Sequence, residues 1–351
     1  MVQQTPSVSL LNPLTGREIP LPPITTIPDV LAYRPEKLRR EYLLRLGNDG
    51  RTVAHDKKLT QNQYISRVAV SAEPGSSSEE EEEPYVMAIC VNNEYRLAFC
   101  KPNGSTWKMI PQGGGVPHLI AFADVVFWRG QFYALDYGGS VFVCDLSLPE
   151  EPKLSFVLDH DPRHCLASDH CYLVVSPAGD ELMLVVRDIR YTLEHLALFE
   201  QGHGGGVFYN EEEDEEEGVI EAPDVVNEPD ASIRIYWTSK FRVYKLVDKE
   251  DAKGWNEVES IGDFALFLGY NSPAAFVSTV EHPGLTPNSI YFTDDLTEIQ
   301  PWWSRRHKGG HDMGIYSLTT RTIQPLYSAT SVDGNPFLMS PPPVWISPPN
   351  H

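Results

Sequence analysis

Hydrophobic and polar positions alternate most clearly over residues 124–146, DVVFWRGQFYALDYGGSVFVCDL, where three apolar runs are separated by two turn signals. The pattern predicts three antiparallel strands, over 125–128, 132–135 and 141–143. Arg129-Gly130 closes the first, and Asp136 opens the turn that follows the second, where the paired glycines Gly138 and Gly139 supply the positive φ of a tight hairpin. Such a meander cannot cover its own faces. Trp128 and Phe132 are therefore expected to anchor it against neighbouring units of the same kind.

The outline does return. Residues 9–23 (SLLNPLTGREIPLPP) carry an apolar run, a turn marked by Asn12, Pro13 and Gly16, and a second run closed by prolines. Residues 97–111, 141–157, 241–258 and 314–327 repeat the scheme, each with an aromatic or aliphatic anchor in the second strand, Trp255 among them. Further strand candidates, each bounded by Gly, Pro, Asn or Asp, fill the intervals at 85–91, 122–135, 171–186, 265–268 and 289–292. Four strands per unit of roughly 40 to 50 residues is the arithmetic of a propeller blade. The expected fold is thus all-β, a single kelch-like β-propeller of about six blades (five to seven) spanning residues 1–351. The first hairpin would complete a blade with strands from the C-terminus, which removes an exposed sheet edge at the seam.

Two segments interrupt the pattern. Residues 73–84 hold three serines and a run of five glutamates, and residues 201–231 mix glycines with a run of seven acids. Neither buries enough apolar surface to offset its ordering entropy, so both are expected to be disordered loops within the domain. The serines are candidates for an acid-directed kinase. One stretch reads as helical: residues 35–46, PEKLRREYLLRL, place Leu38, Tyr42 and Leu46 at i, i+4 and i+8, with Pro35 in the first turn and Gly47 beyond the end.

Charge changes the picture little. The formal net charge of −21 owes twelve charges to the two acidic runs, and the remaining −9 or so is ordinary for a protein of 351 residues. An acidic surface argues against nucleic acid as partner. The five cysteines, Cys90, Cys100, Cys144, Cys165 and Cys171, form no Cys-x-x-Cys pair and read as buried thiols of a reducing compartment. The N-terminal residues lack a basic region and an apolar core of the secretory kind, and no apolar run is long enough to span a bilayer. The expectation is a soluble protein of the cytoplasm, the nucleus or both, with no membrane contact.

Candidate chemistry is thin. His160, His164, Cys165, His170 and Cys171 crowd into twelve residues but lack the two close pairs of a tetrahedral zinc site. His203 among the glycines of 202–206 resembles an esterase oxyanion element, yet no Gly-x-Ser-x-Gly elbow accompanies it. Gly113 to Gly115 precede no Gly-Lys-Ser/Thr and no helix, which excludes a phosphate loop. Asp294 and Asp295 follow a strand and, being adjacent on extended chain, point to opposite faces; they read as a turn whose carboxylates cap backbone amides. No catalytic residue, cofactor or metal site is expected. Of the seven tryptophans, Trp107, Trp128, Trp237, Trp255 and Trp345 read as packing anchors. Trp302 and Trp303, beside Arg305 and Arg306, have the composition of a protein interface.

Several of these motifs, in this order, resemble the plant DUF295 or KIB1-4-type β-propeller family, most of whose members are F-box proteins. They are LNPLTG with LPP at 11–23, VVFWRGQFYALD at 125–136, FRVYKL at 241–246, WNEV at 255–258, GDFALFLG at 262–269, IYFTDD at 290–295 and PPVWI at 342–346. The resemblance covers nearly the whole chain and implies a substrate-recognition propeller. In complete members this follows an F-box that docks on the Skp1 adaptor of a cullin-based ubiquitin ligase. Only eight residues precede Ser9, too few for an F-box of about 40 residues, so Skp1 is not expected to bind. The functional expectation is a non-enzymatic module that binds a protein partner. The alternatives are a free-standing regulator with no ligase link and, from another class, a propeller hydrolase, which would need acids or a metal converging at the central channel.

Overall fold

The computed structural model describes residues 7–12, 15–37, 41–46, 51–55, 60, 64–72, 83–91, 95–112, 120–159, 170–191, 236–249, 252–269, 274–295 and 312–326. Within them the regular structure is almost wholly β, with one turn of 3-10 helix at Ile24–Thr26. Six sheets follow one another along the chain. The first pairs β1 (Val8–Leu11) with β2 (Glu18–Leu21), and the second holds β3 (Val30–Tyr33), β4 (Tyr42–Leu46) and β5 (Arg51–His55). The third runs β6 (Ile65–Val70), β7 (Val86–Cys90), β8 (Arg96–Cys100), β9 (Lys108–Met109). The fourth runs β10 (Phe122–Trp128), β11 (Gln131–Asp136), β12 (Val141–Asp145), β13 (Lys153–Leu158). The fifth runs β14 (His170–Val175), β15 (Leu182–Tyr191), β16 (Tyr236–Lys249), β17 (Ala252–Val258). The third, fourth and fifth are antiparallel meanders in chain order.

The sixth sheet departs from that plan. It contains β18 (Phe264–Leu268), β19 (Ala275–Ser278), β20 (Ser289–Phe292), β21 (Gly314–Ser317) and β22 (Thr322–Pro325) in the order β19-β18-β20-β21-β22. There β18 and β20 run parallel, Ala265 opposite Ser289. The 279–288 connection that carries the chain across is stitched to the strand starts: the Thr279 amide donates to the Asp263 carbonyl at 2.9 Å and the Asn288 amide to the Gly262 carbonyl at 3.1 Å.

Sheets stack face to face, and the period-2 alternation of each inner strand feeds two cores at once. In β7, Val86, Ala88 and Cys90 join Tyr42, Leu44 and Trp107 in the core shared by the first three sheets. Its alternate residues Met87 and Ile89 meet Phe99, Phe122 and Phe132 between the third and fourth. Leu182, Leu184 and Val186 of β15 face Trp128 and Leu135 of the fourth sheet. Met183 and Val185 face Leu266 and Ile290 of the sixth. Sheets buried on both faces are what a ring of blades requires.

The opening stretch is the fourth sheet, extended by β13. At its first turn Arg129 and Gly130 both have positive φ, +49° and +79°, as a two-residue hairpin of this twist needs. At its second, Gly139 takes φ +90°, its amide donates to the Asp136 carbonyl at 3.1 Å, and Asp136 Oδ1 accepts the Ser140 amide at 2.7 Å. A Cβ on Gly138 would sit 3.3 Å from that same Oδ1. Trp128 packs toward the fifth sheet, donates Nε1–H to the Gly179 carbonyl at 3.0 Å and carries Arg129 over its ring, while Phe132 packs toward the third. In the first hairpin Asn12 Oδ1 accepts the Thr15 amide at 3.0 Å and Gly16 has φ +70°; Pro13 lies outside the described residues.

The helix expected over 35–46 does not form. Residues 42–46 are β4, paired on both sides, with Tyr42 and Leu44 buried and Arg45 exposed. Three apolar residues at helical spacing also satisfy alternation when a strand lies on either side, and the ladder outweighs the local preference. Cys90, Cys100 and Cys144 are buried free thiols, and burial pushes the last two up to about 12, which leaves them unreactive. Cys171 is disulfide-bonded and departs from the expectation of five thiols. The two acidic segments fall outside the described residues except for Glu83, which is exposed, and Pro84, which is buried.

Candidate functional site

Three β-bulges aim side chains at one place. In β6 the register shifts between Ile65 and Arg67, in β10 between Phe122 and Asp124, and along β15 and β16 between Asp188 and Ile189, next to Thr238. A bulge inserts one residue, bends the strand and turns the next side chain to a new direction. Arg67 and Asp124 are each the first residue past such a bulge. They meet His170 and Tyr172 of β14, Arg187 of β15, Thr238 of β16 and the acids that flank β20 and β21.

Arg187 is the centre of this hub and is fully buried. Its Nη1 donates to Asp295 Oδ1 at 2.7 Å and to the Thr293 carbonyl at 3.0 Å. Nη2 donates to Asp312 Oδ2 at 3.0 Å and to the Asp312 carbonyl at 3.1 Å, and Nε to Thr238 Oγ1 at 2.7 Å. The ring of Phe292 lies 4.8 Å from the guanidinium carbon. Burial works against the charge, and the neighbouring Tyr172, Asp312, Asp295 and Asp294 outweigh it, so the guanidinium is held charged.

Arg67 reaches this centre from the third sheet, two sheets away along the chain. It donates to the Gly269 carbonyl at 3.0 Å and to Asp295 Oδ2 at 3.3 Å, and lies 3.2 Å from His170 Nε2. Tyr172 adds a hydroxyl bond to Asp295 Oδ2 at 2.8 Å. Burial alone would raise Asp295, but His170, the two arginines and Tyr172 pull it down to about 2. Burial drives His170 down to about 4, so at neutral pH its ring is uncharged and Nε2 accepts from Arg67. Asp124 bonds the Val125 amide at 2.8 Å and, across to the fifth sheet, the Leu173 amide at 2.9 Å. Burial lifts it to about 6.

The acids that the sequence reading did not find together therefore converge. Asp294 and Asp295 are both buried: Asp294 Oδ2 accepts the Asp312 backbone amide at 3.3 Å, and Asp295 binds the two arginines. They do leave the chain in different directions, yet the network wraps around the strand end and takes in both. The hub is densely paired: Asp295 pairs with Arg67 and Arg187, and Asp312 with Arg187. Among the described residues no group of three His, Cys, Asp or Glu is placed to hold a metal ion. Of the zinc candidates, His170 belongs to the hub, Cys171 is disulfide-bonded, and His160, His164 and Cys165 lie outside the described residues. Trp302, Trp303, Arg305, Arg306 and Trp345 lie outside them as well. Trp255 is half-buried in the fifth sheet, its Nε1 without a partner. Trp237 stands exposed beside Thr238.

The profile of the KIB1-4 beta-propeller family matches residues 1–317. The chain belongs to that family. Among curated proteins it resembles a putative F-box protein of Arabidopsis thaliana, 21% identical over 95% of this chain and 71% of the relative. It also resembles the F-box protein SKIP23 of the same plant, 23% identical over 97% of this chain and 70% of the relative. A third Arabidopsis F-box protein is 30% identical over 42% of this chain and 28% of its own length. None of these names describes an enzyme. No solved structure matches the chain. Among the described residues no helix is long and apolar enough to cross a membrane.

Proposed function

We propose that this chain is a non-enzymatic β-propeller of about six blades that captures a protein partner in the cytoplasm or nucleus, as the recognition domain of an F-box ubiquitin-ligase receptor does. The observation that carries the reading is the paired hub: Asp295 and Asp312 are bound by Arg187 and Arg67, and Asp124 and Asp294 by backbone amides, which suits a scaffold under a recognition surface better than a hydrolytic site. The hub also marks a face. His170, Gly269, Asp295 and Asp312 border the segments 160–169, 270–273 and 296–311, and Arg187 lies in the half of β15 that leads into 192–235. Binding residues favour connections set on a rigid frame. The 296–311 segment carries Trp302, Trp303, Arg305 and Arg306, the proposed contacts.

The test is quantitative co-purification from plant cells of the wild-type chain and of a variant with Trp302→Ala, Trp303→Ala, Arg305→Glu and Arg306→Glu. A defined protein should be recovered with the first and lost with the second. An identical set from both removes these four residues from the interface.

A further inference from the structure

We propose that Arg187 is the positioning residue of this face: one guanidinium fixes both ends of the 296–311 connection and ties them to the base of the 192–235 connection. The functional consequence rests on the partner-binding reading; the geometry does not.

The β20–β21 ladder ends at the pair Phe292 and Gly314. Beyond that pair the two strands are held chiefly through Arg187. On one side it grips the Thr293 carbonyl and the Asp295 carboxylate, on the other both the carbonyl and the carboxylate of Asp312. The Asp312 amide also donates to Asp294 Oδ2 at 3.3 Å, which joins the two ends directly. The third edge of the guanidinium faces β16, where Thr238 closes the circuit. Its hydroxyl accepts from Nε at 2.7 Å and donates to Asp312 Oδ2 at 2.7 Å, and its amide donates to the same oxygen at 2.7 Å. Thr238 is the third residue of β16 and follows the 192–235 segment directly. Only a planar fork with five donors serves three elements at once; a lysine offers one ammonium. A force applied at residue 312 by a bound partner is thereby felt at the root of the other connection, directly through Thr238 and again through Arg187, and at 293–295 through Arg187.

The test is hydrogen exchange with mass spectrometry on the full chain without any partner, comparing wild type with Arg187→Met, Arg187→Lys and Thr238→Val. In Arg187→Met, peptides covering 293–295 and 312–314 should exchange faster by on the order of tenfold or more, with the β10–β13 peptides unchanged. Arg187→Lys should keep protection at one end of the connection and lose it at the other, a split that general weakening of the sheet would not give. If Arg187→Met fails to fold, Thr238→Val decides: faster exchange at 238 and 312 with 293–295 unchanged supports the proposal. Unchanged exchange at 312–314, or loss spread evenly over the fifth and sixth sheets, overturns it. Since no partner is present, failure here leaves the partner-binding reading standing, and failure to find a partner leaves the clamp standing.

Discussion

His170 and Asp124 lean on the same hub with opposite pH signs, and their effects should partly cancel in the wild-type chain. His170 is lowered from 6.5 to about 4 on folding, so its stabilising share is present above pH 6.5 and drains away as the pH falls toward 4. Asp124 is raised from 3.8 to about 6, so its share is present below pH 3.8 and is lost as the pH rises through 6. Between pH 7 and pH 5 linkage gives a loss of about 2 kcal/mol for the histidine and a gain of about 1 kcal/mol for the aspartate. Asp295, held at about 2, stays ionised throughout and contributes little. The groups facing these two are Arg67 on β6, Tyr172 and Arg187 on the fifth sheet and Asp295 beyond β20, and their charges are constant over this range. His170→Gln keeps an acceptor for Arg67 and removes the loss; Asp124→Asn removes the gain. Urea unfolding followed by tryptophan fluorescence at pH 7 and pH 5 reads the change for each protein, and surface carboxylates common to all three drop out of the differences. The pH-dependent change in stability should differ between the two variants by about 3 kcal/mol, with wild type between them. If all three move together within about 0.5 kcal/mol, the hub does not bury these groups in the way described.

Arg187→Met should cost about 3–5 kcal/mol, because it leaves Asp295 and Asp312 buried beside an apolar chain; the denaturation midpoint checks it, and acidification should restore part of the loss as those carboxylates protonate. Gly139→Val should lower stability by about 1 kcal/mol or more, since a β-branched residue resists φ +90°, and unchanged melting would refute the turn. Tyr64→Phe should have the opposite tendency, neutral or stabilising by up to about 1 kcal/mol, because the buried Tyr64 hydroxyl has no partner; a clear loss of stability would show that water satisfies it.

The fold was legible where alternation and turn chemistry agreed. The 124–146 stretch shows three strands and both turns because Arg129-Gly130 and Gly138-Gly139 leave the chain few other conformations. It shows its neighbours too, since Phe132 and Leu135 are apolar on opposite faces and each face needs a cover. Residues 35–46 misled because three apolar residues spaced by four satisfy both periods, and only β3 and β5, which the local sequence does not contain, choose between them. The parallel pair β18 and β20 was likewise hidden. Parallel neighbours exchange bonds across a connection, and nothing in either strand's own residues marks the direction of its partner.

The hub was hidden for a different reason. Its acids lie at 124, 294, 295 and 312, its arginines at 67 and 187, and none of these intervals is a motif. What brings them together is the register of four sheets and three bulges, and a bulge leaves almost no trace in sequence: Ile65-Ser66-Arg67 and Phe122-Ala123-Asp124 are unremarkable triplets. One signal was present. A charged residue inside an apolar strand, as Arg187 is after Leu182 to Val186, must be either exposed or paired. Val185 and Ile189, the neighbours of Arg187 on its own face of β15, are apolar, and that leaves pairing. Acids at strand ends are then the candidate partners, and the pair Asp294 and Asp295 that follows β20 supplies one of them, Asp295. In a protein made of repeated sheets, the charged residue that breaks the repeat is the better guide to the centre than any local motif.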